Sequence, residues 1–214
     1  MRAALIALAL VTFSLTGEEE LLQRATAVFD RAVLSPSAAI PAAVLLRAAA
    51  IAVVPGAIRE GGQYRGKGVM SARGARPDAW SAPAVFAFEG AIPLDLDAAA
   101  VDFILIAQTR QGLDHLVRDG LLAAVSRPIS AGAIGHSSPV RMDSDLVAYI
   151  QFDTYFAGVT IDDWAVRGLT ASNAALYGRP YSTDDIVRGA GFFHLPQPAR
   201  TWRKTIAGYF RQMS

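Results

Sequence analysis

The chain has 214 residues, 52% apolar and 18% charged, with a formal net charge of +1. That length supports one domain with a substantial core, and so apolar a composition is not that of a disordered segment. The complete lack of cysteine excludes disulfides, thiolate nucleophiles and thiolate metal centres, and the near-neutral charge excludes an overall pull on nucleic acid or acidic substrates.

Residues 1–16 read MRAALIALALVTFSLT, a single Arg2 followed by an apolar run from Ala3 to Leu15, and GEEE comes next. A short positive start and an apolar stretch too short to span a bilayer are the pattern of a secretory signal peptide. The expectation is a leader over residues 1–17 and an exported chain, periplasmic or secreted.

Glu18 to Val33 predicts a helix with Leu21, Leu22, Ala25, Val28, Phe29, Ala32 and Val33 on one stripe. Its glutamates sit where the helix dipole favours acids. SPSAAIP breaks it. Pro41 to Val54 is nearly all Ala, Leu, Val and Ile around Arg47. Alanine favours helix for its first part, and Pro55-Gly56 is expected to stop it. GKGVMSAR and SAPAVFAFEG read as strands joined by the turn formers of GARPDAW. AAVDFILIAQT reads as a buried strand. RQGLDHLVRDG reads as a short helix with Leu113, Leu116 and Val117 on one face, and AAVSRPISAGAIG as a weak strand. In DLVAYIQFDTYFAGVTI, Leu146, Ala148, Ile150 and Phe152 alternate onto one side, and the pattern slips at Asp153-Thr154, as at a hairpin or bulge. WAVRGL is a further strand. TASNAALYG begins a helical turn at a Thr170 or Ser172 cap, and YSTDDIVRG another at Ser182 or Thr183. A linker with Pro and Gly leads to a C-terminal helix over 196–214. No strand–helix–strand period appears, which argues against a Rossmann-type sheet. The fold class is α+β: N-terminal helices packed on a mostly antiparallel sheet or small barrel, with short helical inserts.

Chemistry-bearing residues are sparse. His115, His136 and His194 have no metal-ligand spacing. His136 stands beside Ser137 in AIGHSSP, the pair a hydrolase would use, but no acid is placed to orient it and there is no G-x-S-x-G elbow. His115 and Arg118 share a helix face, as solvated residues do. The adjacent acids Asp162-Asp163 and Asp184-Asp185 are accounted for by a connection and by a helix start. Asp95 and Asp97 share a strand face with no third group. GGQYRGKG sets Arg65 and Lys67 among Gly61, Gly62, Gly66 and Gly68. It lacks Walker and dinucleotide spacing, and reads either as a phosphate-cradling loop or as a tight turn with close packing. No catalytic group, metal or cofactor is assigned.

Charge is unevenly spread. After Asp185 there is no acid, while Arg188, Arg200, Arg203, Lys204 and Arg211 all follow. On a C-terminal helix Trp202, Ile206, Tyr209, Phe210 and Met213 fall on one side and Arg200, Lys204 and Arg211 on the other, with Arg203 near the boundary. Such a helix either lies in a lipid interface or packs its aromatic stripe on the protein's own sheet.

AIPAAVLLRAAAIAVVPGAIREGG followed by YRGKGVM, then WSAPAVFAF, AVDFILIAQTRQGLDHLVRDG, YFAGVTI and SNAALYGRPYSTDDIVRG, resemble in order the blocks of the SYLF, or Ysc84 actin-binding, domain family. The resemblance runs from about residue 20 to 190, so the domain is expected over 18–195 with the basic helix beyond it. It implies a non-enzymatic module. Eukaryotic members bind phosphoinositide-containing membranes and some bundle actin, whereas bacterial members are mostly exported or lipid-anchored envelope proteins. By resemblance, Arg59, Arg65 and Lys67 lie in the blocks that carry basic residues and become lipid headgroup contacts. The acid-free tail adds Arg203, Lys204 and Arg211. The expectation is an exported envelope protein that binds anionic phospholipid or a membrane surface through basic patches and takes no nucleic acid. The alternative is a structural or protein-interaction module of the envelope, its partner another envelope protein.

Overall fold

Helix α1 spans Gly17–Leu34, with Glu18, Glu19 and Glu20 in its first turn. Thr16 and Glu19 cap it reciprocally, Thr16 N–H to Glu19 Oε2 at 3.0 Å and Glu19 N–H to Thr16 Oγ1 at 3.3 Å. In this computed structural model the described residues are 16–34, 40–76, 78–94, 96, 98–117, 129–132, 144–189 and 195–213. The expected leader, apart from Thr16 and Gly17, lies outside them, as do His136, Ser137, His194, Arg118, Asp95 and Asp97.

A six-residue helix α2, Ala42–Arg47, leads into the strands. These are β1 (Ala50–Glu60), β2 (Gln63–Ala72), β3 (Ala84–Ala91), β4 (Ala100–Ala107), β5 (Ser130–Ala131), β6 (Leu146–Phe152), β7 (Tyr155–Gly158) and β8 (Asp162–Gly168). They form one sheet in the order β5-β6-β4-β1-β2-β3-β8, with β7 pairing β6. Every pairing between these strands is antiparallel except β5 with β6. The sheet curls into a half-barrel whose two edges touch: Ile129 and Ile161 exchange backbone hydrogen bonds of 2.9 and 3.0 Å. The α+β class read from the sequence is what forms, helices first and a largely antiparallel sheet after them.

Strand alternation divides the core in two. On the inner face Val54, Phe86, Phe88, Phe103, Leu105 and Trp164 pack with Leu113, Leu116 and Val117 of helix α3 (Arg110–Val117) and Ile186 and Val187 of helix α5 (Thr183–Val187). On the outer face Ile51, Val53, Val69, Val85, Ile104 and Ile106 pack under α1, α2 and helix α6 (Gln197–Met213). Phe29 and Trp202 meet there with ring centroids 6.2 Å apart. Each such fully buried large side chain contributes about 1.5–3 kcal/mol.

Pro55-Gly56 does not terminate a helix, contrary to expectation. β1 runs straight through it as a bulge: the register with β2 shifts between Val53 and Ile58, and that with β4 between Val54 and Ala57. Proline is tolerated at a bulge because no ladder N–H is needed there, and Gly56 supplies φ +64°. The β-branched residues Ile51, Val53 and Val54, on a strand paired on both sides, override the helix propensity of the neighbouring alanines. Side chains from two other elements pin the bulge. Arg24 Nη2 donates to Pro55 O at 2.8 Å, Gly56 N–H donates to Asp102 Oδ1 at 2.8 Å, and Arg31 Nη2 donates to Asp102 Oδ2 at 3.0 Å.

Helix α4, Thr170–Tyr177, corrects a second expectation. Neither Thr170 nor Ser172 caps it; Leu169 is the N-cap and makes no side-chain capping bond, while Ser172 is buried. The fixing polar group is Asn173, whose Oδ1 accepts from Val85 N–H at 2.8 Å and whose Nδ2 donates to Tyr181 O at 3.1 Å. Ser182 does cap α5, in a reciprocal box with Asp185. The slip at Asp153-Thr154 is the β6–β7 hairpin, with Asp153 at φ 48°.

Candidate functional site

GGQYRGKG is a hairpin and a strand, which removes the phosphate-cradle reading. Gly61 and Gly62 form the two-residue turn between Glu60 and Gln63, with φ +58° and +86°, as this type of hairpin requires. Gly66 and Gly68 lie within β2 and face the inner core. A Cβ on Gly68 would stand 2.5 Å from Phe86 Cζ and 2.7 Å from Val53 O. These glycines let two strands and a ring approach closely; they present no amide nest to an anion.

The hairpin places its cations on two faces. Arg59 pairs across from Tyr64, whose side chain belongs to the inner core, and its Nη1 reaches Leu96 O at 3.5 Å. Arg65 and Lys67 alternate onto the outer face, both exposed. Arg65 lies 3.1 Å from Glu89 and 3.5 Å from Glu60, and the Glu89 hydrogen bond raises its pKa above the usual arginine value. Lys67 Nζ lies 3.7 Å from Glu18 of α1. Arg65 and Lys67 therefore come together, but with carboxylates between and beside them.

Helix α6 turns its aromatic stripe inward. Trp202 and Ile206 are 0% and Phe210 1% exposed, and Trp202 Nε1 donates to Ser71 Oγ at 2.9 Å. Tyr209 Oη donates to Asp30 Oδ1 at 3.1 Å, and its ring lies edge-on to Phe29 at 5.7 Å. Arg203, at the boundary, is half-buried and donates Nε to Trp80 O at 3.0 Å. Arg200, Lys204 and Arg211 are exposed. Among the described residues no carboxylate forms an ion pair with any of these four cations. They lie far along the chain from the hairpin cations and on a separate element.

The loop between β2 and β3, read from the sequence as turn formers alone, brings a further arginine to this helix. Arg73 Nη1 donates to Leu46 O at 2.9 Å and its guanidinium stands 5.4 Å from the Phe210 ring. Burial lowers its pKa below the usual value, the direction for a cation desolvated without an acid partner. Arg76 is exposed in the same loop. The signal was present in ARGARPDAW, two arginines against the single acid Asp78, but nothing local linked it to a helix more than a hundred residues later.

The groups weighed for catalysis do not assemble. Asp162 and Asp163 begin β8 rather than sit in a connection, Asp163 taking φ 43° beside a register shift in β3. Asp184 accepts from Arg188 Nε at 2.6 Å, and Arg188 Nη2 reaches Asp114 of α3 at 2.8 Å, a strap between the two helices of the inner face. Among the described residues no cluster of His, Asp and Glu is arranged to hold a metal ion, and no helix is long and apolar enough to cross a membrane.

The profile of the Ysc84 family, described as Las17-binding protein actin regulator, matches residues 94–209. That span takes in β4 through β8 and most of α6. Among curated proteins and among solved structures nothing matches.

Proposed function

The chain belongs to the Ysc84 family, whose members are non-catalytic lipid-binding modules, and from that premise we propose that this protein is an exported envelope protein that associates with anionic lipid surfaces through basic side chains. The observation that carries the reading is the exposed row Arg200, Lys204 and Arg211 on α6, joined by half-buried Arg203. This row faces away from a stripe already used for packing. The aromatic stripe of α6 is spent on the core and is not available to insert, so this helix contributes charge to the contact. Each such cation near an anionic leaflet contributes about 1 kcal/mol. The hairpin cations Arg59, Arg65 and Lys67, carried over from the family blocks, do not carry the reading: they stand on a separate element, and Arg65 and Lys67 have acidic neighbours.

Export rests on the N-terminal sequence pattern and places the chain in the periplasm or outside the cell. Co-sedimentation of the chain with vesicles tests the lipid reading. Retention on phosphatidylglycerol vesicles at low salt, and none on phosphatidylcholine vesicles, is expected. Equal recovery in both supernatants removes the lipid role and leaves an envelope protein-interaction module.

A further inference from the structure

The short helix α2 buries Val44 and Leu45 but turns Ala42, Ala43 and Leu46 to solvent. Leu46 is 45% exposed, and Leu34, which ends α1, is 65% exposed. Ile40 N–H donates to Ala32 O at 3.1 Å, so the end of α1 and the start of α2 are neighbours. Two of the largest exposed apolar side chains thus belong to neighbouring helices, Leu34 at the end of α1 and Leu46 near the far end of α2. Arginines border them. Arg73 is bonded to the Leu46 carbonyl itself and covers the Phe210 ring. Trp80 packs on that ring at 4.9 Å, and Arg203 is bonded to the Trp80 carbonyl. Arg76 is exposed in the same loop, and Arg200, Lys204 and Arg211 are exposed on α6, the helix that carries Phe210.

The way these arginines are held is the telling feature. Carbonyl oxygens and a ring fix Arg73 and Arg203 in place without neutralising them, and Asp78 is the acid the loop itself contributes. At the hairpin tip the reverse holds. Exposed Ile58 stands opposite Arg65, but Arg65 and Lys67 face Glu60, Glu89 and Glu18. Both ends of the sheet display a basic and apolar surface, and one of them is electrically compensated.

We infer that the outer side of α2, with Leu46 at its centre and Arg73, Arg76 and Arg203 around it, is the face that docks on an anionic lipid leaflet, and that the β1–β2 hairpin tip is not. This rests on the lipid reading above and deepens it. An aliphatic patch ringed by uncompensated cations matches the boundary between headgroups and acyl chains. It does not match nucleic acid, because the aromatics at the patch, Trp80 and Phe210, are 3% and 1% exposed and offer no stacking platform.

The absence of native cysteine makes the test direct. Leu46→Cys and Ile58→Cys are each labelled with an environment-sensitive fluorophore in the full chain, and phosphatidylglycerol vesicles are added. The expected result is a blue shift and protection from an aqueous quencher at position 46, with position 58 unchanged. In unlabelled protein, Arg76→Glu weakens vesicle binding by about fivefold or more, whereas Lys67→Glu leaves it near the parent value. A blue shift at 58 without one at 46 overturns the inference while the lipid reading survives. If the chain does not sediment with the vesicles, both fall together. A shift at 46 that needs no lipid and rises with protein concentration marks the patch as a contact between copies and also overturns the inference.

Discussion

Asp102 holds two partners at the β1 bulge, and two substitutions separate them. Oδ1 accepts from Gly56 N–H at 2.8 Å and Oδ2 from Arg31 Nη2 at 3.0 Å. Asp102→Asn keeps an acceptor for the amide and discards the charge. The Arg31 side chain is 53% exposed, so solvent screening limits that loss to about 0.5 kcal/mol. Asp102→Ala leaves the part-buried Gly56 amide without a partner, which costs about 1–3 kcal/mol more. With an m-value of about 2 kcal/mol/M in urea, the alanine variant unfolds roughly 1 M earlier than the parent and the asparagine variant roughly 0.25 M earlier. Urea melts followed by tryptophan fluorescence read both midpoints. Equal shifts for the two variants would mean that the ion pair, not the amide, secures the bulge, and the argument for Pro55-Gly56 as a pinned feature would fail.

Three further outcomes follow from the packing. Gly68→Ala places a Cβ 2.5 Å from Phe86 Cζ and 2.8 Å from Val54 Cγ2, and costs about 1–3 kcal/mol by overpacking; unchanged urea stability contradicts the close-approach role of this glycine. Trp202→Phe removes the bond to Ser71 Oγ, and a double-mutant cycle with Ser71→Ala gives a coupling of about 1 kcal/mol, whereas zero coupling means the indole acts through volume alone. Stability falls as pH rises above 10, because burial raises the pKa of Tyr149 and of Tyr177 above the ordinary 10.0 and pushes that of Tyr209 up to about 12. The folded chain keeps these phenol protons where the unfolded chain releases them, so unfolding is favoured between the two values. Tyr209→Phe flattens part of that fall, and an identical pH profile for this variant counts against the assignment.

Periodicity made most elements legible. The stripe from Leu21 to Ala32 gave α1, the alternation Leu146 to Phe152 gave β6, and Ser182 or Thr183 ahead of Asp184-Asp185 gave the start of α5, because each signal lies within a single element. The β1 strand was obscured because Pro55-Gly56 reads locally as a stop. Its continuation depends on Asp102, Arg24 and Arg31, which are remote in sequence. The start of α4 differs from the Thr170 or Ser172 cap because both residues lie inside the helix, Leu169 taking the N-cap position, and the polar group that fixes the helix, Asn173, reaches a strand remote in sequence. The basic character of α6 was plain in the acid-free tail, and so was the choice between lipid and self-packing for its aromatic stripe. Which choice holds is decided by Phe29, Trp80 and Ser71, residues no local pattern ties to Trp202. The same is true of the hairpin: Arg65 and Lys67 are evident as cations, while their pairing with Glu89 and Glu18 arises from strand register and helix placement.

The central claim is that uncompensated cations on the α6 and α2 side attach this protein to anionic lipid without any chemistry. The most direct measurement is the fraction bound to phosphatidylglycerol vesicles as ionic strength rises, for the parent chain and for Lys204→Glu/Arg211→Glu. The account predicts strong retention at low salt, loss as the Debye length falls from about 30 Å at 0.01 M toward 3 Å at 1 M, and weak retention of the double variant throughout. Retention that is indifferent to salt and to both substitutions would contradict it.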